Sequence, residues 1–260
     1  MIMALVAYLL FGMAPLNSEI IFWGILSGVL HGVYILCLSR AYSTADISYV
    51  YPIARSAPVF VPVFAWLVLD EHLHISTFLA IGFILTAIYI LHFEGKLIRG
   101  FVNLMRAFRH QDLRWAFYTL AMVVSYSLVD KKGMDSFLSH LPNQPFANGV
   151  TFFFIEAVIG FALCNLYIFS TSPAKYIFQI WRKEWHKAML AGIATLGSYG
   201  LICVVLQFEA LSAIVSLRQV SVLMVVYWGC WKLKEPFGSQ RLMAGGLILI
   251  GIFLISSNSH

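Results

Sequence analysis

Charge is scarce in this sequence. Asp, Glu, Lys and Arg make up 11% of its 260 residues, against roughly 25% in soluble domains. With 60% of the chain hydrophobic, a single water-soluble domain would expose apolar patches well beyond the roughly few hundred Å² that monomers tolerate. Cysteine is rare as well: Cys37, Cys164, Cys203 and Cys230 stand singly in apolar runs, with no C-x-x-C pair and no His at ligand spacing. That pattern argues against a disulfide-stapled module or a zinc site and favours small buried hydrophobes. No catalytic cluster, whether His-rich, paired-Asp or Ser-His, gathers at one end of the apolar runs, so neither an enzyme nor a cofactor or metal protein is expected. A disordered chain and an ordinary cytosolic enzyme are excluded by the same composition.

What is present is a series of apolar runs. A helix crossing a hydrocarbon core of ~30 Å needs about 20 mostly apolar residues. Nine candidates follow: Met1–Leu16, Ile20–Leu38, Tyr49–Leu69, Ser76–His92, Leu113–Val129, Phe146–Phe169, Ala188–Leu206, Ala213–Trp231 and Leu242–Ser256. The first lacks the positive flank and A-x-A cleavage site of a signal peptide and reads as a span. The expected fold is therefore an all-α integral membrane protein with about nine transmembrane helices.

The net charge of +5 reflects topology and not a nucleic-acid partner. Arg40, Lys96, Arg99, Arg106, Arg109, Arg114, Lys175, Arg182, Lys183, Lys187, Lys232, Lys234 and Arg241 fall in loops on one side; only Lys131 and Lys132 fall on the other. The positive-inside rule puts the larger set in the cytoplasm, with the N-terminus inside and the C-terminus outside. From Arg99, Phe101, Leu104, Met105 and Phe108 recur at helical spacing opposite basic residues, the pattern of a surface-lying amphipathic helix. Tyr176–Lys187, with Trp181 and Trp185 among cations, suits the headgroup zone.

The chain also repeats itself. One shift superposes Glu71 on Glu235 and Gly82 on Gly246, and brings Arg55-Ser-Ala-Pro near Arg218-Gln-Val-Ser. The first copy turns at Asp70-Glu71 without Lys or Arg; the second turns at Lys232-Leu-Lys234-Glu235. By the same rule these turns lie on opposite sides of the membrane. An inverted-topology repeat of this kind is the architecture of secondary transporters.

Ala41-Tyr42, Asp46 through Pro58, Asp70-Glu71 and Gly82, followed by Ser216-Leu-Arg-Gln219, Glu235 and Gly245-Gly246, resemble the motifs of EamA-type members of the drug/metabolite transporter (DMT) superfamily. The resemblance implies ten spans, five per repeat. This chain supplies four and then five (4+5, from an expected 5+5), and the element without a counterpart is the first helix of the first half. The implied organisation is a first repeat over residues 1–92, a basic amphipathic cytoplasmic linker over 93–114 and a second repeat over 115–257.

Ionisable residues at membrane depth usually face a bundle interior or a wet cavity. Glu156, midway along its span, is a candidate for proton coupling or for binding a cationic substrate group; otherwise it is a structural carboxyl, protonated or paired with Arg55 or Arg218. Arg55 and Arg218 could neutralise an anionic substrate or snorkel to the interface. Gln219 is a polar contact beside Arg218, and Tyr51, Tyr126 and Trp228 are candidates for an aromatic wall together with Tyr199. Glu71 and Glu235 end helices and are candidate helix-end or gating residues. Gly28 and Gly32 form a G-x-x-x-G spacing, which permits close helix contact within a monomer or between protomers.

The expected function is a secondary transporter that moves a small amino-acid-, sugar- or drug-like metabolite across the cytoplasmic membrane by alternating access, in the efflux direction. The mechanism would rock one repeat against the other around Arg55, Glu156 and Arg218–Gln219. The rival readings are a lipid-linked substrate flippase and a shortened, non-transporting membrane subunit acting with a partner. Expected partners are the small-molecule substrate and the lipid bilayer, with the protein a monomer or homodimer.

Overall fold

The computed structural model describes residues 12–44, 50, 53, 54, 56–71, 75–93, 113–218, 220, 221 and 238–256. Among these the secondary structure is helical, with no strand. The helices are α1 (Ser18–Thr44), α2 (Ala57–Leu69), α3 (Ile75–Phe93), α4 (Arg114–His140), α5 (Pro145–Thr171), α6 (Ala174–Val205), α7 (Leu211–Leu217) and α8 (Gly238–Ser256). Three of them, α1, α5 and α6, are long and apolar enough to cross a membrane; α2 and the Ile75–Ala87 part of α3 are shorter apolar helices. Residues 1–11 of the expected span Met1–Leu16, the amphipathic stretch from Arg99 and most of Ala213–Trp231 lie outside the described residues. Residues 12–16 are described and are not helical, so the expected span does not run to Leu16 as a helix.

Local chemistry sets the helix ends. Asn17 starts α1: its Oδ1 accepts the Ile20 amide at 2.7 Å and its carbonyl accepts the Ile21 amide at 3.0 Å, satisfying donors that the first turn leaves open. Proline occupies the first turn of α5, where its missing N–H costs nothing. Helix α2 stops at Asp70, which adopts a left-handed backbone (φ 53) and donates its amide to the Ala65 carbonyl.

Two expectations about loops change. Span Leu113–Val129 was expected to end before a loop bearing Lys131 and Lys132. Instead α4 continues for 27 residues to His140. Lys131 lies on the helix, donating to the Leu206 carbonyl at 2.8 Å and pairing with Asp135 at 2.8 Å. A cation there satisfies the end of α6, a favourable place for positive charge. Likewise Tyr176–Lys187 is not a loop before a span but the first part of α6, 32 residues and about 48 Å long. Its Arg182, Lys183 and Lys187 are exposed, and Lys187 pairs with Glu184 at 2.7 Å.

The described residues cluster into two compact units, each built from separate stretches of chain. One takes the residues up to Leu36 together with Ser125–Phe208; the other takes Cys37–Val124 and Glu209–His260. In the second unit α3 packs along α8, with Ala80, Ile84, Ala244 and Ile248 all at 0% exposure. The close-approach glycine there is Gly251, where a Cβ would meet Ile84 Cγ1 at 2.7 Å and the Ala80 carbonyl at 3.0 Å. Gly246 has nothing within 4 Å. The i, i+7 pattern of Ala244 and Gly251 puts the α3-facing stripe on a different side of α8.

In the first unit, α1 meets α5 through a row of glycines one turn apart. A Cβ at Gly24 would meet Ile155 Cγ2 at 2.8 Å, one at Gly28 would meet Ile159 Cβ at 2.6 Å, and one at Gly32 would meet Leu163 Cδ2 at 3.1 Å. Gly160 answers from α5, with its Cβ position 3.2 Å from the Gly28 carbonyl. The G-x-x-x-G spacing thus serves packing within one chain, where small residues let backbones approach.

Replacing Gly28 with Ala places a methyl 2.8 Å from the Glu156 carbonyl, and overpacking of this kind costs about 1–3 kcal/mol. Gly192→Ala, on α6 with nothing within 4 Å, gains up to about 1 kcal/mol in helix propensity. Thermal unfolding of the detergent-solubilised variants should therefore show Gly28→Ala melting below the parent and Gly192→Ala at or above it.

Candidate functional site

Four helices of the first unit each bring polar or aromatic side chains to one place. On α1, Ser27 and His31 are one turn apart on a single face. On α4, Tyr126 and Asp130 have the same spacing. Glu156 comes from the middle of α5, where Asn148, Phe152 and Gly160 continue its buried stripe at four-residue intervals. Tyr199 comes from α6. The acids are interior: Asp130 is 0% exposed and Glu156 4%.

Hydrogen bonds tie the group together. Ser27 Oγ donates to Asp130 Oδ1 at 2.5 Å, and Tyr199 Oη donates to Asp130 Oδ2 at 2.5 Å. Both carboxylate oxygens of Asp130 thus accept a hydroxyl, which offsets much of the cost of burying the group. His31 Nδ1 lies 3.3 Å from Glu156 Oε1, 3.2 Å from Ser27 Oγ and 3.1 Å from the Ser27 carbonyl. The His31 ring stacks on Tyr126, centroids 3.8 Å apart at 29°, and meets Tyr199 edge-on at 5.2 Å. Tyr34 packs edge-on against Tyr126 at 5.5 Å, and Phe153 lies 6.1 Å from Tyr199.

Glu156 Oε2 is fully buried and has no hydrogen-bond partner among the described residues. His31, Asp130 and Glu156 can each offer one ligand atom such that all three lie within 4.8 Å of one another. Chemically, the cluster is a polar island with anionic capacity, set midway along apolar helices and walled by aromatic rings.

The cluster includes three of the residues singled out by sequence, Glu156, Tyr126 and Tyr199. Among the described residues the partner of Glu156 there is His31. Ser27, His31 and Asp130 were missed. No Ser-His or paired-acid set was expected at one end of the apolar runs; this one lies midway along them, and its members come from four helices with no short motif joining them. A signal was available: Ser27 and His31, and Tyr126 and Asp130, are i, i+4 polar pairs inside apolar runs.

Arg218 and Glu71 belong to the second unit. Arg218 ends α7, its amide donating to the Ile214 carbonyl at 3.0 Å. Glu71 holds the start of α7: Oε1 accepts the Leu211 amide at 2.6 Å, while Oε2 accepts the Ser212 hydroxyl at 2.9 Å and the Ser212 amide at 3.3 Å. No side chain at the N-cap position of α7 does this, so a carboxylate 140 residues distant satisfies the open amides and the positive helix end. Arg55, Gln219, Tyr51, Trp228 and Glu235 lie outside the described residues.

Residues 1–93 match the model of the EamA-like transporter family. The N-terminal part of the chain is EamA-like. This agrees with the resemblance to the EamA-type proteins of the DMT superfamily drawn from Ala41-Tyr42 through Gly82. The EamA-like segment carries Ser27, His31 and Glu71; Asp130, Glu156 and Tyr199 lie beyond it. No curated protein matches the chain.

Loss of the Glu71 carboxylate should loosen α7. Glu71→Ala is expected to lower stability by about 1–2 kcal/mol, the usual cost of a lost helix cap, and Glu71→Gln by less because one oxygen remains. Chemical denaturation of the purified variants in a fixed detergent reads the difference.

Proposed function

We propose that this protein is a secondary transporter that carries a small organic metabolite outward across the cytoplasmic membrane by alternating access. Its EamA-like segment supports the transporter class, since that family is one of membrane transporters. Helices α1, α5 and α6, long and apolar enough to span a bilayer, support its placement there. The distribution of Lys and Arg supports a cytoplasmic N-terminus and an external C-terminus. The recurrence of Arg55, Glu71 and Gly82 as Arg218, Glu235 and Gly246 supports two repeats of opposite topology, the arrangement that lets one central path open to either side in turn.

The observation that carries the reading is the buried Ser27–His31–Asp130–Glu156 cluster. Ionisable groups are expensive at membrane depth, roughly 2.5–3.5 kcal/mol each on insertion scales, and they mark substrate or ion pathways. Here two acids and an imidazole meet midway along three helices, two of which, α1 and α5, are long and apolar enough to span a bilayer. The aromatic faces of Tyr34, Tyr126, Phe153 and Tyr199 supply the apolar area that an organic solute needs, and the acids supply its polar anchor.

Reconstitution into proteoliposomes with a panel of amino acids, sugars and amphiphilic drugs tests the proposal. Saturable counterflow of at least one solute class is expected, reduced about tenfold or more in Glu156→Gln with the protein still folded. Rates equal to those of protein-free liposomes for every solute, together with a stoichiometric co-purifying protein from native membranes, would replace the transporter by a subunit of a larger assembly.

A further inference from the structure

We propose that His31, Asp130 and Glu156 bind one divalent transition-metal ion. The ligand set is one imidazole and two carboxylates, the nitrogen–oxygen chemistry that suits Zn²⁺, Mn²⁺ or Fe²⁺. Around such an ion, with bonds of about 2.1 Å, neighbouring donor atoms stand about 3–3.5 Å apart. His31 Nδ1 and Glu156 Oε1 already have that spacing, at 3.3 Å, and the three ligand atoms all lie within 4.8 Å of one another.

A second observation points the same way. Glu156 is 4% exposed, its Oε1 faces His31, and its Oε2 is buried with no hydrogen-bond partner among the described residues. A buried carboxylate oxygen left unpaired costs about 1–3 kcal/mol or more, and a cation bound between the acids removes that cost. The surroundings match those of a ligating carboxylate. Ser27 and Tyr199 each donate a hydroxyl to Asp130 at 2.5 Å, fixing its orientation, and Tyr126 stacks on the His31 ring at 3.8 Å, fixing that ligand as well. Ser27 and Asp130 are at 0% exposure and Tyr126 at 3%, so the ligand atoms are closed off from bulk water.

Binding is measured on the full chain in detergent or nanodiscs, without reference to transport, so its failure leaves the transporter reading intact and the reverse also holds. Titration with Zn²⁺ by calorimetry is expected to show one ion per chain, and Co²⁺ is expected to give visible d–d absorption that Zn²⁺ displaces. Glu156→Gln and His31→Gln should each weaken Zn²⁺ by more than about tenfold, and Tyr199→Phe, which keeps the ring but drops a donor to Asp130, by a smaller factor. Gel filtration and far-ultraviolet circular dichroism check that each variant is folded. If Glu156→Gln does not fold, the Co²⁺ spectrum of the parent and the Tyr199→Phe affinity decide the matter. Absence of a Co²⁺ band in the parent would overturn the proposal, as would Zn²⁺ affinity unchanged in folded Glu156→Gln.

Discussion

The close approach of α1 to α5 is the constraint on which the first unit depends. Gly24, Gly28, Gly32 and Gly160 remove the side chains that would hold these helices apart, and no larger residue fits at Gly28 without displacing Ile159 or the Glu156 carbonyl. Because lipid offers no hydrophobic drive to pack one apolar helix on another, van der Waals contact and interhelical hydrogen bonds must hold the pair. The glycine row supplies the first and, by bringing the backbones together, makes the second geometrically available. His31, between Gly28 and Gly32 on α1, reaches Glu156 across that narrow gap.

Polar chemistry in this unit is an outcome of that geometry. Buried acids are tolerated because each is met by donors on other helices: Asp130 by hydroxyls from α1 and α6, Glu156 by His31 from α1. Lys131, one residue after Asp130, turns to the carbonyl end of α6, so adjacent residues of opposite charge serve different contacts. The second unit uses a similar device at a helix end, with Glu71 taking the open amides of α7.

Legibility followed how far a residue stood out from its neighbours. The helical class was plain from apolar run lengths, and Glu156 was plain as a lone acid in an apolar stretch. Asp130 was hidden by Lys131 and Lys132: three charges in a row read as a loop, whereas the helix runs on to His140. His31 was hidden because imidazole carries no formal charge in a residue count and because the glycines around it drew the reading toward packing. Arg182, Lys183 and Lys187 likewise looked like a loop, although their helix joins the apolar run after them. Charge density marks where water or headgroups lie; it does not say where a helix ends. The three-way meeting of His31, Asp130 and Glu156 could not be read locally, since Ser27 and Asp130 are 103 residues apart.

That separation has a consequence for biosynthesis. Tyr199, the second donor to Asp130, is made long after Ser27, and at about 5–20 residues per second the interval is roughly ten to thirty seconds. Throughout it α1 has been released toward the bilayer with Ser27 and His31 on it and their partners incomplete. Early helices must therefore wait, shielded by the insertion machinery or by one another, until α6 emerges. Slow codons or a stalled ribosome between residues 130 and 199 would prolong that exposure, so the same polar residues that distinguish the finished unit are a hazard for the nascent one.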